Sequence, residues 1–241
     1  MEFDWNIYTT YWPYIVSGVR YTVLICVVSI TLGTCLASMV CLLRISRNRA
    51  LRGVAICYIE VLRNTPFLIQ AFIVFYALPA YGVRMTPLFA GILTLTIYGS
   101  AYFAEIMRGA INAVPKGQLQ SARALGIPYF TAMKRMVLPQ SIRGMLPPLT
   151  NQFIMLIKES SVLSVITVAE LTYEAHRIVG ISFSPVEVYV WIAIIYWVIN
   201  SITANLMERL QRRAEKAHAL AYGSRVLQLG GVGSKSSSGT T

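Results

Sequence analysis

Uncharged apolar runs alternate along the chain with short basic segments. Tyr21 to Leu43 carries no charged side chain, and a helix needs about 20 mostly apolar residues to cross a bilayer. Asn64 to Val83 is a second such run, with helical sequence reaching back to Val54 through Glu60 and Arg63. A tight turn at Tyr81-Gly82-Val83-Arg84 separates it from a third, Met85 to Ala104. A weaker fourth, Gly144 to Ala169, has Lys158 and Glu159 in its interior, and Val188 to Met207 is the fifth. The pattern predicts an all-α, polytopic membrane protein. Its five transmembrane helices are expected at approximately 19–43, 54–80, 85–108, 144–169 and 187–207, within a membrane domain of residues 1–215.

Composition agrees. Apolar residues make up 56% of the 241 positions, charged residues 13%, and the mean hydropathy is +0.58. A soluble domain is about one quarter charged, so a disordered chain, a collagen-like chain and an ordinary soluble enzyme are all excluded. The net charge of +11 does not indicate nucleic acid, because the cations sit in blocks between the apolar runs. Arg44, Arg47, Arg49 and Arg52 follow the first run. Arg108, Lys116, Arg123, Lys134, Arg135 and Arg143 follow the third, and Arg209, Arg212, Arg213, Lys216, Arg225 and Lys235 follow the fifth. The opposite side keeps Arg20, Arg84 and Arg177. Cytoplasmic loops carry the Lys/Arg excess, so the N-terminus is expected outside and the C-terminus in the cytoplasm. Glu2 and Asp4, with a first run too long for a signal peptide, argue against a cleaved leader. Cys26, Cys35, Cys41 and Cys57 lack metal-ligand spacing and read as small buried hydrophobes. A Gly- and Ser-rich tail, 216–241, is expected to be cytoplasmic and disordered. Its Gly233-Ser234-Lys235-Ser236 lacks the residue order of a phosphate-binding loop.

About 35 residues separate the third and fourth runs, and a connection that long usually has a task. Within the loop 113–139, Pro115 and Gly117 punctuate the entry, Gln118 to Leu125 has helix-forming composition, and Gly126 with Pro128 stops the helix. A second helical piece, Tyr129 to Leu138, is expected to end at Pro139.

Gln120-Ser121-Ala122, Gly126 and Met136-Val137-Leu138-Pro139 together resemble the EAA loop of permease subunits of ATP-binding-cassette importers. Arg63-Asn64-Thr65-Pro66 with Gln70 is similar to the second-span signature of the polar amino-acid branch. Ala101-Tyr102, Glu105, Arg108-Gly109 and Gly117-Gln118 match its third-span exit. Leu138-Pro139-Gln140, Arg143, Pro147, Asn151-Gln152 and Lys158-Glu159-Ser160-Ser161 match its fourth. The resemblance covers roughly residues 10 to 215. Where the family usually has Glu and Ala, this chain has Gln120 and Ser121, which removes the carboxylate from that position.

The resemblance implies a type I ABC importer permease fold and a location in the bacterial cytoplasmic (inner) membrane. It further implies a coupling helix that docks on the ATPase through Gln118, Gln120, Ser121, Ala122, Arg123, Gly126, Leu138 and Pro139. The implied partners are a dimer of ABC ATPase subunits, a second permease subunit in a homo- or heterodimer, a periplasmic or surface-anchored solute-binding protein, and the lipid bilayer. No nucleic acid is expected. The chain is expected to be non-catalytic and to bind no metal or cofactor, with ATP and Mg on the partner ATPase.

Charges within apolar sequence cost about 2.5–3.5 kcal/mol each at mid-span, so they face a bundle interior or an aqueous path. Glu60 and Arg63 are three apart and share a helix face; a structural ion pair and a lining of the path weigh equally. Thr65, Gln70, Asn151, Lys158 and Glu159 join them as candidates for the translocation path. Lys158 and Glu159 point about 100° apart on a helix and cannot simply pair. Glu105 and Arg108, near the cytoplasmic end, suit a gating or structural role. Pro66 is expected to kink its helix. Arg44, Arg47, Arg49 and Arg52 read as anchors to anionic headgroups, and Trp191, Tyr196 and Trp197 as packing or interface residues. The expected function is import of polar amino acids, with acidic ones weakly favoured. An ion-coupled secondary transporter is the alternative, disfavoured by the long ordered loop and by the absence of a visible inverted repeat.

Overall fold

The computed structural model describes residues 5–230, with side chains described as far as Arg213. Among the described residues all regular structure is helical. A short α1 (Ile7–Thr10) leads into α2 (Trp12–Arg44). Then come α3 (Arg49–Asn64), α4 (Phe67–Phe72), α5 (Pro87–Ala113), α6 (Lys116–Ala124), α7 (Tyr129–Ala132), α8 (Leu138–Glu159), α9 (Leu171–Ser182) and α10 (Pro185–Gly230). Of the tail expected at 216–241, the stretch to Gly230 continues α10 and the remainder lies outside the described residues, as do Glu2 and Asp4.

Local chemistry sets the starts. Asn48 caps α3, its Oδ1 accepting from the Ala50 and Leu51 amides at 2.9 and 3.5 Å. Thr86 caps α5 by accepting from the Phe89 amide at 3.3 Å, with Pro87 at the first helical position, where a missing N–H costs nothing.

Two parts of the expected helix pattern need correction. The second apolar run is not one straight span: it breaks between α3 and α4, and the chain turns by 107°. Pro66 lacks the N–H that would bond Leu62, and it forces Thr65 into extended backbone at φ −109°, ψ 141°. The second correction concerns Pro139, which ends no helix. A π-helical turn, Met133–Val137, joins α7 to α8 without a gap, and Pro139 sits in the first turn of α8. The wider π turn accommodates a residue that cannot donate at that point. By length and apolarity α2, α5 and α10 each suffice to cross a membrane, and the bent pair supplies a fourth crossing if counted as one span.

α2 and α5 pack along most of their length. Small residues permit it: Ser29 and Ala37 are fully buried, and the Ser29 hydroxyl donates across to Ile92 O at 3.2 Å. α8 and α3 flank α5 and close a core of Ile25, Leu95, Phe103, Leu156, Leu163 and Ile166. A second cluster near the chain's start joins Ile7 and Ile15 to Leu171, Ile178, Val188 and Ile192. There α2 and α9 touch closely, because a Cβ on Gly18 would lie 2.9 Å from Leu171 Cα. By contrast α10 turns Val190, Ile194, Trp197, Val198 and Ile202 outward, as a helix bathed in lipid does. The cysteines divide: Cys26 and Cys41 are buried as expected, whereas Cys35 and Cys57 are exposed on helix surfaces.

Candidate functional site

The loop between α5 and α8 folds as a short ordered unit. α6 ends in a paired turn: the Ile127 amide donates to Ala122 O and the Gly126 amide to Arg123 O, both at 3.0 Å. This is the Schellman arrangement, which needs a left-handed residue after the helix, and Gly126 supplies it at φ +75°. Ala122 is buried beneath α6, while Gln120, Ser121, Arg123, Leu138 and Pro139 face outward. Gln118 does not: its amide and that of Gln140 bond reciprocally, at 3.2 and 2.6 Å, and so tie α6 to α8. On either side of Gly126, Leu125 and Phe130 stand 80% and 85% exposed. A cleft of about 420 Å³ opens between α6, the end of α5 and the π turn, with Lys116, Gln120 and Arg123 among its walls.

The broken helix is a set of capped carbonyls. In an α-helix residues 62 and 70 stand about 12 Å apart along the axis. The break brings them together, and Gln70 Nε2 donates to Leu62 O at 2.8 Å, to Thr65 O at 3.2 Å and to Thr65 Oγ1 at 2.8 Å. Thr65 Oγ1 in turn donates to Val61 O at 2.9 Å. Asn64 Nδ2 donates to Glu60 O and to the Glu60 carboxylate at 2.8 and 2.9 Å, and the Tyr102 hydroxyl donates to Arg63 O at 3.4 Å. Glu60 and Arg63 therefore do not form the ion pair their spacing allowed. Glu60 is held by Asn64, while the Arg63 guanidinium lies 5.2 Å from the centre of the Tyr102 ring. Tyr102 packs against Tyr98 and Tyr98 against Phe67 as tilted ring pairs, at centroid distances of 4.9 and 5.0 Å. Glu159 is half-buried at the end of α8. Asn151 and Lys158 are exposed on α8 and make no hydrogen bond or ion pair to this group.

Glu105 and Arg108 pair at 2.7 Å. Arg44 joins them, its Nε 3.4 Å from Glu105 Oε1 in an ionic contact outside hydrogen-bond alignment. Arg44 is thus an internal partner that closes the end of α2 against α5, not a free headgroup anchor. One cluster escapes sequence reasoning. Glu170, fully buried, caps α9 by accepting from the Thr172 and Tyr173 amides at 2.9 and 2.8 Å, and also accepts from the Tyr196 hydroxyl at 2.9 Å. Its only sequence signal is an acid placed immediately before a helical run, and Glu is not among the favoured capping residues.

The family of binding-protein-dependent transport system inner membrane components matches residues 29–216. The chain belongs to this family. A probable amino-acid ABC transporter permease of Bacillus subtilis, YckA, is 39% identical over 201 residues, 83% of this chain and 89% of that one. The glutamine transport system permease GlnP of Escherichia coli K12 is 34% identical over 215 residues, 88% and 98% of the two chains. The crystal structure of an amino acid ABC transporter with histidines aligns with a TM-score of 0.84 at 36% identity, over 88% of this chain and 100% of that chain. The protein is accordingly a membrane-embedded permease subunit of an amino-acid ABC importer. Its class works with an ATPase, which hydrolyses the ATP, and with a solute-binding protein. The secondary-transporter alternative is not favoured.

Proposed function

We propose that the permease carries a polar amino acid inward along a path walled by Arg63, Phe67, Tyr98, Tyr102 and Glu159, and that α6 transmits the ATPase stroke. The observation that carries the coupling role is the Gly126 turn with Leu125 and Phe130 exposed beside it. A helix tied back through Gln118–Gln140 and ended by a tight left-handed turn moves as a unit when its tip is pushed. From Ile106 to Lys158 there is no Asp or Glu, so the ATPase groove facing this tip meets cations, amides and apolar side chains. That composition favours a groove with acidic residues. ATP and Mg stay on the partner, and this chain holds neither.

The path suits a zwitterion. Arg63, over the Tyr102 ring, offers donors to a carboxylate, and Glu159 at the end of α8 offers an acceptor to an ammonium, where an ion leaving water needs replacement partners. The acidic substrates expected from sequence are one arm of the test, and glutamine, suggested by the named relative GlnP, is another. We read α8 as a fifth crossing, the N-terminus as outside and the C-terminus as cytoplasmic, and the working unit as a permease dimer. Uptake of a panel of labelled amino acids by the reconstituted complex, with substrate-stimulated ATPase activity measured in parallel, tests the reading. Uptake that persists without the ATPase would overturn it.

A further inference from the structure

The break between α3 and α4 is supported more completely than a flexible hinge would be. A hinge that straightens has to find new partners for every backbone group that is paired only in the bent form. Here the carbonyls of Glu60, Val61, Leu62, Arg63 and Thr65 each receive a side-chain donor in the bent form. Leu62 O is the carbonyl that Pro66 leaves without its helical partner, and Gln70 Nε2 reaches it. Three acceptors crowd the same end of the Gln70 amide, which decides its orientation. Its Oε1 is left buried with no partner although the residue is only 8% exposed. An unmatched buried acceptor is unfavourable, so it is the donor end that position 70 requires.

We propose that Gln70 is a positioning residue that stands in for the missing Pro66 N–H and makes the break a rigid elbow, unchanged through the transport cycle. α3 and α4 then move as one body, and the elbow holds Arg63, at the end of α3, at a fixed separation from Phe67, at the start of α4. The link to transport rests on the proposed path, but the rigidity does not, so the two are measured separately.

Spin labels at Cys57 in α3 and at Ile73→Cys beyond the break, with Cys26, Cys35 and Cys41 replaced by Ala, report the elbow in the assembled complex. A straight helix would separate the two backbones by about 24 Å, and the bent one holds them closer. In the parent protein, with labelled chains diluted by unlabelled ones, we expect one short, narrow distance within the chain, the same without nucleotide and with ATP bound under conditions that block hydrolysis. Gln70→Leu removes the donor at similar bulk. It should broaden the distribution toward the straight value and reduce uptake roughly tenfold, the scale set by orphaning a buried carbonyl. Adding Pro66→Ala returns an N–H to Leu62 O and should move the distance to the straight value without restoring uptake. A parent distance that shifts between nucleotide states, or a Gln70→Leu distribution identical to the parent's, overturns the proposal. The parent measurement needs no variant at Gln70, so it decides even if Gln70→Leu fails to assemble. A Gln70→Leu distribution that broadens while uptake stays at the parent rate would instead count against the proposed path and leave the elbow standing.

Discussion

Gly126 and Arg63 act through different physics. At Gly126 a Cβ would meet nothing within 4 Å, so the chain itself has room for a larger residue, but φ is +75°. A side chain there costs about 1 kcal/mol of backbone strain, more when β-branched. Gly126→Val is therefore expected to insert and assemble normally yet weaken ATPase binding or unlink hydrolysis from substrate. Substrate-stimulated ATPase activity beside uptake measures this, and normal values of both would reduce the loop to a connector. Arg63 rests on Tyr102, a contact worth about 0.5–1 kcal/mol at an exposed site, and has no carboxylate partner in Glu60. Arg63→Ala should leave assembly intact and lower uptake, and adding Glu60→Gln should rescue nothing. Assembly lost in the single variant and regained in the double would reinstate the ion pair.

At the scale of elements, Glu105 is where α2 and α5 are latched. Its carboxylate meets Arg108 on its own helix and Arg44 at the end of α2, and the group is screened from most solvent. Hydrogen bonds to charged groups contribute about 1.5–3 kcal/mol when buried and less when partly wet. Glu105→Ala is expected to destabilise the permease by about 1–2 kcal/mol. The loss should appear as a lower thermal midpoint of the detergent-solubilised complex, while Arg47→Ala, a headgroup-facing control, should change nothing. Equal midpoints for the two variants would remove the latch.

For the whole molecule the charge distribution sets the topology. Arg47, Arg49 and Arg52 leave the α2–α3 connection with no acid beside it, and the long loop after α5 is equally acid-free. In the orientation we propose, both face the cytoplasm, as the positive-inside rule expects. A cysteine introduced at Arg49, in a chain whose native cysteines are replaced, should resist a membrane-impermeant thiol reagent in intact cells and react after permeabilisation. Labelling before permeabilisation would invert the orientation.

What the sequence determined by itself was short-range. Apolar runs marked where helices lie, Gly126 marked a left-handed turn, and Pro66 marked a disturbance, because hydropathy and backbone preference are properties of a few neighbouring residues. The angle at Pro66 and the company of the charges were decided only in three dimensions. Spacing allowed a Glu60–Arg63 pair, but the packing of α3 on α5 sets Arg63 over Tyr102, and the 107° turn brings Gln70 back to Leu62. Arg44 looked like its neighbours Arg47 and Arg49 until α2 and α5 packed and set it against Glu105. Gln118, expected at the docking surface, gained a partner in Gln140 that the sequence did not announce, because α6 folds back on α8. The same holds for Glu170, whose partner Tyr196 comes from another helix. A side chain that leaves water takes whichever partner the packing brings within about 3 Å, and no local pattern encodes that choice.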